Sequence, residues 1–173
     1  MNYKKIRITG ASGSGKTHLG KEISKQTKIK LTQLDQLSFD FSKTTKFENK
    51  RPQKEFEKDV EKALQQKQGI IEGGYYELTK KTYDEADIII FLKTPFTTRI
   101  LNIKKRFLKN LINKKPEGVK SFFKLLKYNI KTKNKWNKER LKIFQEIYKD
   151  KMKVFPSAKK ALEWIEKKQK HNK

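Results

Sequence analysis

The chain contains no cysteine, only five arginines among its 44 basic residues, and no apolar run longer than the five residues Ile88–Leu92. Without cysteine there is no disulfide framework. The longest apolar run is far short of the roughly 20 residues that a bilayer-spanning helix needs. Residues Met1–Gly10 hold no apolar stretch of signal-peptide length, so a cytoplasmic protein with no membrane partner is expected. Acidic residues are also scarce, 19 against 44 basic ones, and the formal net charge is +25. What remains, 173 residues of which 34% are hydrophobic, can bury a proper core and is read as one domain spanning 1–173.

The shortage of arginine qualifies the charge. Two-pronged phosphate recognition favours arginine, whereas 39 of the basic residues are lysine, a composition that suits solvated faces. The distribution is more telling than the total. Residues 1–97 carry 19 basic and 13 acidic side chains, and residues 98–173 carry 25 and 6. Between Leu101 and Lys142 there are 15 basic residues and two acids, Glu117 and Glu139, so this stretch is solvated, mobile or faces polyanions.

Along the chain, Lys5–Thr9 alternates and carries β-branched Ile6 and Ile8, the pattern of a short strand. A glycine-rich turn follows and opens into a helical pattern from Lys16 to about Lys25. A second strand is expected at Ile29–Leu34, and a polar, aromatic-dotted segment without clear period at Asp35–Arg51. Pro52 suits the first turn of a helix bearing Phe56, Val60, Ala63 and Leu64. Strands are expected again at Gly69–Ile71 and Asp87–Leu92, the latter an apolar, β-branched run of the kind buried on both faces of a parallel sheet. Pro95 permits another helix start, with Ile100, Ile103, Phe107, Leu108 and Leu111 as its stripe. A long helical pattern follows from about Ser121 to Lys149, interrupted near Asn129–Asn134. Lys153–Phe155 reads as a last strand, and Ser157 caps a terminal amphipathic helix. The class is α/β.

The octapeptide Gly10-Ala11-Ser12-Gly13-Ser14-Gly15-Lys16-Thr17 fulfils the pattern G-x-x-x-x-G-K-[ST] between an expected strand and an expected helix. Gly10, Gly13 and Gly15 let the backbone wind tightly, so that amides around Ser12 and Ser14 converge on phosphate at a helix N-terminus. Lys16 would bridge the β- and γ-phosphates of ATP, and the Thr17 hydroxyl would ligate Mg²⁺. His18, next along, borders this cofactor site and reads as a helix-surface or packed side chain rather than a catalytic one.

A nucleotide site needs carboxylates near the ends of neighbouring strands, to hold Mg²⁺ or to take a proton from an attacking hydroxyl. Asp35 follows the second expected strand and Glu72 the third, and the carboxyl ends of parallel strands border the ligand crevice. Acids after strands also cap helices and turns. Gly73 and Gly74 allow close backbone approach to an acceptor. Tyr75 and Tyr76 suit stacking on that ligand or packing under the loop.

The phosphate loop, the Leu34-Asp35 pair, the segment Ile70-Ile71-Glu72-Gly73-Gly74-Tyr75 and the Thr94-Pro95 turn into a basic helix resemble, in order and spacing, the adenylate kinase-related P-loop proteins labelled topology modulation proteins. The resemblance covers nearly the whole chain. Together with the wider nucleoside monophosphate kinase and shikimate kinase group, it implies a three-layer α/β/α P-loop NTPase fold. Its sheet is parallel and five-stranded, with an acceptor-binding segment at about 36–67 and a helical lid within about 95–149. Four positions depart from that pattern. The family usually has aspartate at Glu72 and asparagine at Gly74. Adenylate kinases place an acceptor-gripping arginine where this chain has Tyr76, and the family's lids begin with paired arginines four apart, matched here by Asn102 and Arg106, of which only Arg106 is kept.

Arg99, Asn102 and Arg106 fall on one helical face, which could close over the triphosphate as a lid, with Arg106 stabilising the moving charge and Arg99 assisting. Phe122, Phe123, Tyr128 and Trp136 interleave with Lys124, Lys127, Lys131, Lys133 and Lys135, a mixture that suits single-stranded nucleic acid but also a helix core stripe. The expectation is therefore an ATP- and Mg²⁺-dependent phosphotransferase acting on a small acceptor, nucleotide-like or otherwise bearing a hydroxyl or phosphate. Lys16, Asp35 and Arg106 are its catalytic residues, Thr17 and Glu72 its metal ligands, and Asp35, Gly73, Gly74 and Tyr75 its acceptor site. The rival expectation is a nucleic-acid-associated ATP-binding protein.

Overall fold

The structure, a computed structural model, describes residues 3–40, 49–113, 119–133 and 135–170. Five strands, β1 (Lys5–Gly10), β2 (Leu31–Gln33), β3 (Gly69–Glu72), β4 (Ile88–Leu92) and β5 (Met152–Phe155), form one sheet in the order β2-β3-β1-β4-β5. Every pairing is parallel. Parallel strands need crossover segments that cover both faces of the sheet, which is why the strands are so apolar. β4 shows this most plainly, since all five of its residues are buried.

Side-chain alternation divides β4 between two cores. On one face Ile88, Ile90 and Leu92 join Ile6, Ile8 and Ile70, and are covered by Leu19 and Ile23 of α1 (Lys16–Thr27) and Ala161 and Ile165 of α8 (Ala158–Lys170). On the other, Ile89 and Phe91 pack with Tyr83 of α4 (Lys80–Asp84), Leu141 and Phe144 of α7 (Leu141–Ile147), and Tyr148. A third cluster joins Leu34 of α2 (Leu34–Ser38) and Ile71 to Phe56, Val60 and Leu64 of α3 (Gln53–Leu64). The layers are thus helix, sheet, helix, as expected.

Between β4 and β5 the chain first forms α5 (Phe96–Ile112), which starts behind Pro95, and then α6 (Val119–Lys131), ahead of α7. Phe107 and Phe122 stack between them at 4.3 Å. The long helical pattern divides as anticipated, α6 giving way to a π-helical stretch at Lys135–Arg140 and then to α7. The side chains of Lys135 and Trp136 lie outside the described residues, as do residues 41–48, which fall in the segment expected to bind an acceptor.

Three local expectations change. The second strand is shorter than Ile29–Leu34, because Leu34 and Asp35 open helix α2. Leu34 is fully buried there, against Gly73, and the acid in the first helical turn faces the positive end of the helix. α4 was not anticipated; its five residues are too few to display a period. The third strand runs one residue further than expected, to Glu72.

Candidate active site

Strand register gathers the site. In β1–β3 pairing Ile8 lies beside Glu72, and in β2–β3 pairing Gln33 lies beside Glu72. Asp35, two residues past Gln33, and the phosphate loop, two residues past Ile8, therefore emerge at the same edge. Gly10 pairs with Leu92, which brings Thr94 and the start of α5 to that edge from the other side. The loop thus sits where β3 and β4 diverge on either side of β1, the crevice in which open parallel sheets bind ligands.

Gly10 and Gly13 adopt φ values of 140° and 78°. A Cβ at Gly10 would lie 2.7 Å from the Leu92 carbonyl oxygen, and one at Gly13 would lie 2.7 Å from that of Arg99. Both contacts are too close for any side chain. The loop is clamped from the β4–α5 side: Thr94 Oγ1 donates to Ser14 O at 3.0 Å, and Asn102 Nδ2 donates to Gly13 O at 2.9 Å. Asn102 thus pins the loop.

The Lys16 ammonium donates to Ala11 O at 2.9 Å, folded back over its own loop. Burial lowers its pKa, while Glu72 and Asp35 favour its charge and Arg7 and Arg106 oppose it. The Thr17 hydroxyl donates to Glu72 Oε1 at 2.7 Å. Glu72 is 2% exposed, and burial raises its pKa; Lys16 and the Thr17 bond act against that rise, and Asp35 adds to it. Lys16, Thr17, Asp35, Glu72 and Arg106 are therefore one electrostatic cluster on residues distant in the chain. Asp35 and His18 are exposed, and Ser12 and Arg106 half-buried.

Beyond Glu72, Gly73 takes φ 148° and Tyr75 takes φ 26°, rare for a residue with a side chain. Tyr75 packs against Phe56 at 5.4 Å, and its hydroxyl faces Asp35 and Ser38; burial and the Asp35 charge raise its pKa, so it stays protonated. Tyr76 turns instead into the aromatic cluster, 5.2 Å from Tyr83 and 4.9 Å from Phe144.

The Arg99 side chain is buried and directed at α6: its guanidinium donates to Asn129 Oδ1 and Lys133 O, both at 3.4 Å, and lies over the Phe96 ring. Its contribution to the loop is the backbone carbonyl against Gly13.

Sequence reasoning missed Arg7. It is fully buried. Nε donates to Thr82 Oγ1, Nη1 to the carbonyls of Ile8 and Ile71, and Nη2 to the carbonyls of Gly73 and Gly74 and to the Tyr83 hydroxyl. The guanidinium also lies 4.3 Å from the Tyr83 ring centroid. Arg7 thereby fixes the path of the segment after Glu72 and favours ionisation of Glu72. Alternation in Lys5–Thr9 placed it on a polar face, so the local pattern carried no signal for its burial.

This fold and this loop define a P-loop NTPase. The AAA domain profile matches residues 6–114, more than half of the chain, and the chain belongs to that family. No curated protein sequence matches the chain. Among solved structures, deoxyadenosine kinase from M. mycoides with bound dATP is similar at 17% identity and TM-score 0.54, over 95% of this chain and 98% of that one. An uncharacterized protein from Eubacterium ventriosum is similar at 18% identity and TM-score 0.50, over 94% and 95%. Shikimate kinase from Acinetobacter baumannii is similar at 16% identity and TM-score 0.45, over 88% and 97%. At such identities the likeness to the first two shows a shared fold alone.

Proposed function

We propose that the chain is an ATP-dependent phosphotransferase that moves the γ-phosphoryl group to a small acceptor carrying a hydroxyl or phosphate, a nucleotide-like molecule being the first candidate. The observation that carries this reading is the Thr17–Glu72 hydrogen bond beside Lys16. A hydroxyl on the phosphate loop and a buried carboxylate from another strand meet at 2.7 Å, with an ammonium close by. Two hard oxygen donors at a phosphate cradle fit Mg²⁺. Thr17 and Glu72 would hold the ion, which when bound would supply positive charge against the charge that develops on the transferring group.

The protein's own groups divide the remaining work. The loop amides of Gly13–Lys16 and the N-terminus of α1 bind phosphate, and Lys16 leaves Ala11 O to neutralise it. Asp35, exposed at the crevice, orients or deprotonates the acceptor, and Gly73, Gly74 and Tyr75 form the wall on which the acceptor rests. Arg106 on α5 supplies positive charge to the transferring group, and α5 with α6 excludes water as a lid. The topology modulation resemblance agrees with this layout, but Tyr76, packed in the aromatic cluster, leaves no arginine at the position used by adenylate kinases, so adenylate is not the favoured acceptor.

The test is ATP turnover measured with a panel of nucleosides, nucleoside monophosphates and small hydroxy acids, and then with DNA and RNA, for the parent and Lys16→Ala. One class of small acceptor should stimulate the parent, and Lys16→Ala should lose turnover with its unfolding midpoint retained. Stimulation by nucleic acid alone would establish the rival reading, and parent-like turnover in Lys16→Ala would dismiss the phosphate-loop assignment.

A further inference from the structure

α5 has two faces. Asn102, Ile103 and Arg106 look inward to the phosphate loop. Leu101, Leu108 and Ile112, seven and eleven residues along, fall within about 20° of one line on the opposite side. They are 55%, 57% and 80% exposed. This stripe runs for about 16 Å at the usual rise per residue. α6 repeats the arrangement, with Val119, Phe123 and Ile130 at spacings of four and seven, all exposed. Stripes of this kind on a folded protein mark a contact rather than chance.

What flanks the stripes selects the partner. Lys104, Lys105 and Lys109 border the one on α5, and Lys127 and Lys131 the one on α6, all exposed. From Thr98 to Lys138 the sequence has a single acid, Glu117. A second copy of the chain would bring like charge against like charge. Single-stranded nucleic acid would answer the charge, but it pairs with stacking rings, and five of the six stripe residues are aliphatic. Both stripes are convex faces of single helices, a shape suited to a deformable partner.

We propose that the outer faces of α5 and α6 dock the protein on an anionic phospholipid surface. The aliphatic side chains enter the boundary between headgroups and acyl chains, and the lysines meet the headgroup phosphates. The contact is peripheral, and it revises the expectation of no membrane partner, which rested on the lack of a spanning segment. It does not depend on the phosphotransferase reading, since the inner face of α5 is left to the loop.

Co-sedimentation with extruded vesicles tests this, using phosphatidylcholine alone and phosphatidylcholine mixed equally with phosphatidylglycerol. The parent should bind the mixed vesicles and not the neutral ones, and binding should collapse between about 0.1 M and 1 M salt as charges are screened. Leu108→Glu and Ile112→Glu should each lower partitioning about tenfold. Lys105→Ala and Lys109→Ala should each lower it about fivefold. ATP binding, read by titration, should be unchanged in all four variants, which separates loss of docking from loss of fold. Equal binding to neutral vesicles, or none to either, overturns the proposal. So does a parent dimer that Ile112→Glu converts to monomer without any vesicle binding. Binding of a single-stranded oligonucleotide that falls with each lysine, ignores Leu108→Glu and occurs without vesicle binding overturns it too.

Discussion

Replacing Glu72 by glutamine should stabilise the ligand-free protein while removing its response to magnesium and ATP. The carboxylate is 2% exposed, and burial is the largest influence on it, raising its pKa above the ordinary 4.5 against the opposing pull of Lys16 and the Thr17 hydroxyl. A raised native pKa means that the folded state holds the proton more tightly than the unfolded state. Stability contributed by the protonated form is present below the ordinary pKa and is lost as pH rises through the native one. Glutamine keeps the shape and an oxygen for Thr17 without the charge, so the variant escapes that loss. The gain should be small near pH 4.5, grow with pH and level off above the native pKa. Its size should be about 1 kcal/mol, the usual return when a functional site is relieved of an unfavourable charge. For a chain of this length that is about 2–4 °C in unfolding midpoint. Thermal and urea unfolding of parent and variant, from acid to neutral pH, would measure it. Added ATP and magnesium should raise the parent's midpoint by linkage and leave the variant's nearly where it was. A variant less stable than the parent at neutral pH, or an advantage that shrinks as pH rises, would refute the reasoning.

Asp35→Asn should leave ATP affinity intact and lower acceptor-dependent transfer by about a hundred- to ten-thousandfold, the scale of a lost general base; a defect matching that of Glu72→Gln would show that the two acids do not divide the work. Arg106→Ala should cut turnover by about ten- to a thousandfold with the unfolding midpoint preserved, as for one lost transition-state contact; unchanged kinetics would remove Arg106 from the site. Arg7→Met removes six donated hydrogen bonds from the interior and should cost about 3 kcal/mol or more in urea unfolding, with Arg7→Lys recovering part of the loss. A parent-like midpoint in Arg7→Met would mean that water or rearrangement replaces those bonds.

Where local chemistry is self-sufficient, the sequence alone determined the outcome. The loop Gly10–Thr17 is legible because positive φ demands glycine and phosphate demands a helix N-terminus, and both requirements are met within eight consecutive residues. Ile88–Leu92 is legible because a five-residue, β-branched apolar run bounded by charge and by Pro95 suits a strand covered on both faces. Asp35 and Glu72 could be nominated from their places after strands, but only the register of β2, β3 and β1 brings them to one edge, since pairing partners 39 and 64 residues apart leave no mark on local pattern. The side chain of Arg99 was equally undecided by sequence: helical spacing set it on the face of Arg106, and the packing of α6 drew it to Asn129 and Lys133. Arg7 shows the limit most clearly. Alternation in Lys5–Thr9 assigns it to a polar face, yet a sheet with helices on both sides has no such face, and the tertiary structure alone supplied the carbonyls and hydroxyls that let a guanidinium be buried there.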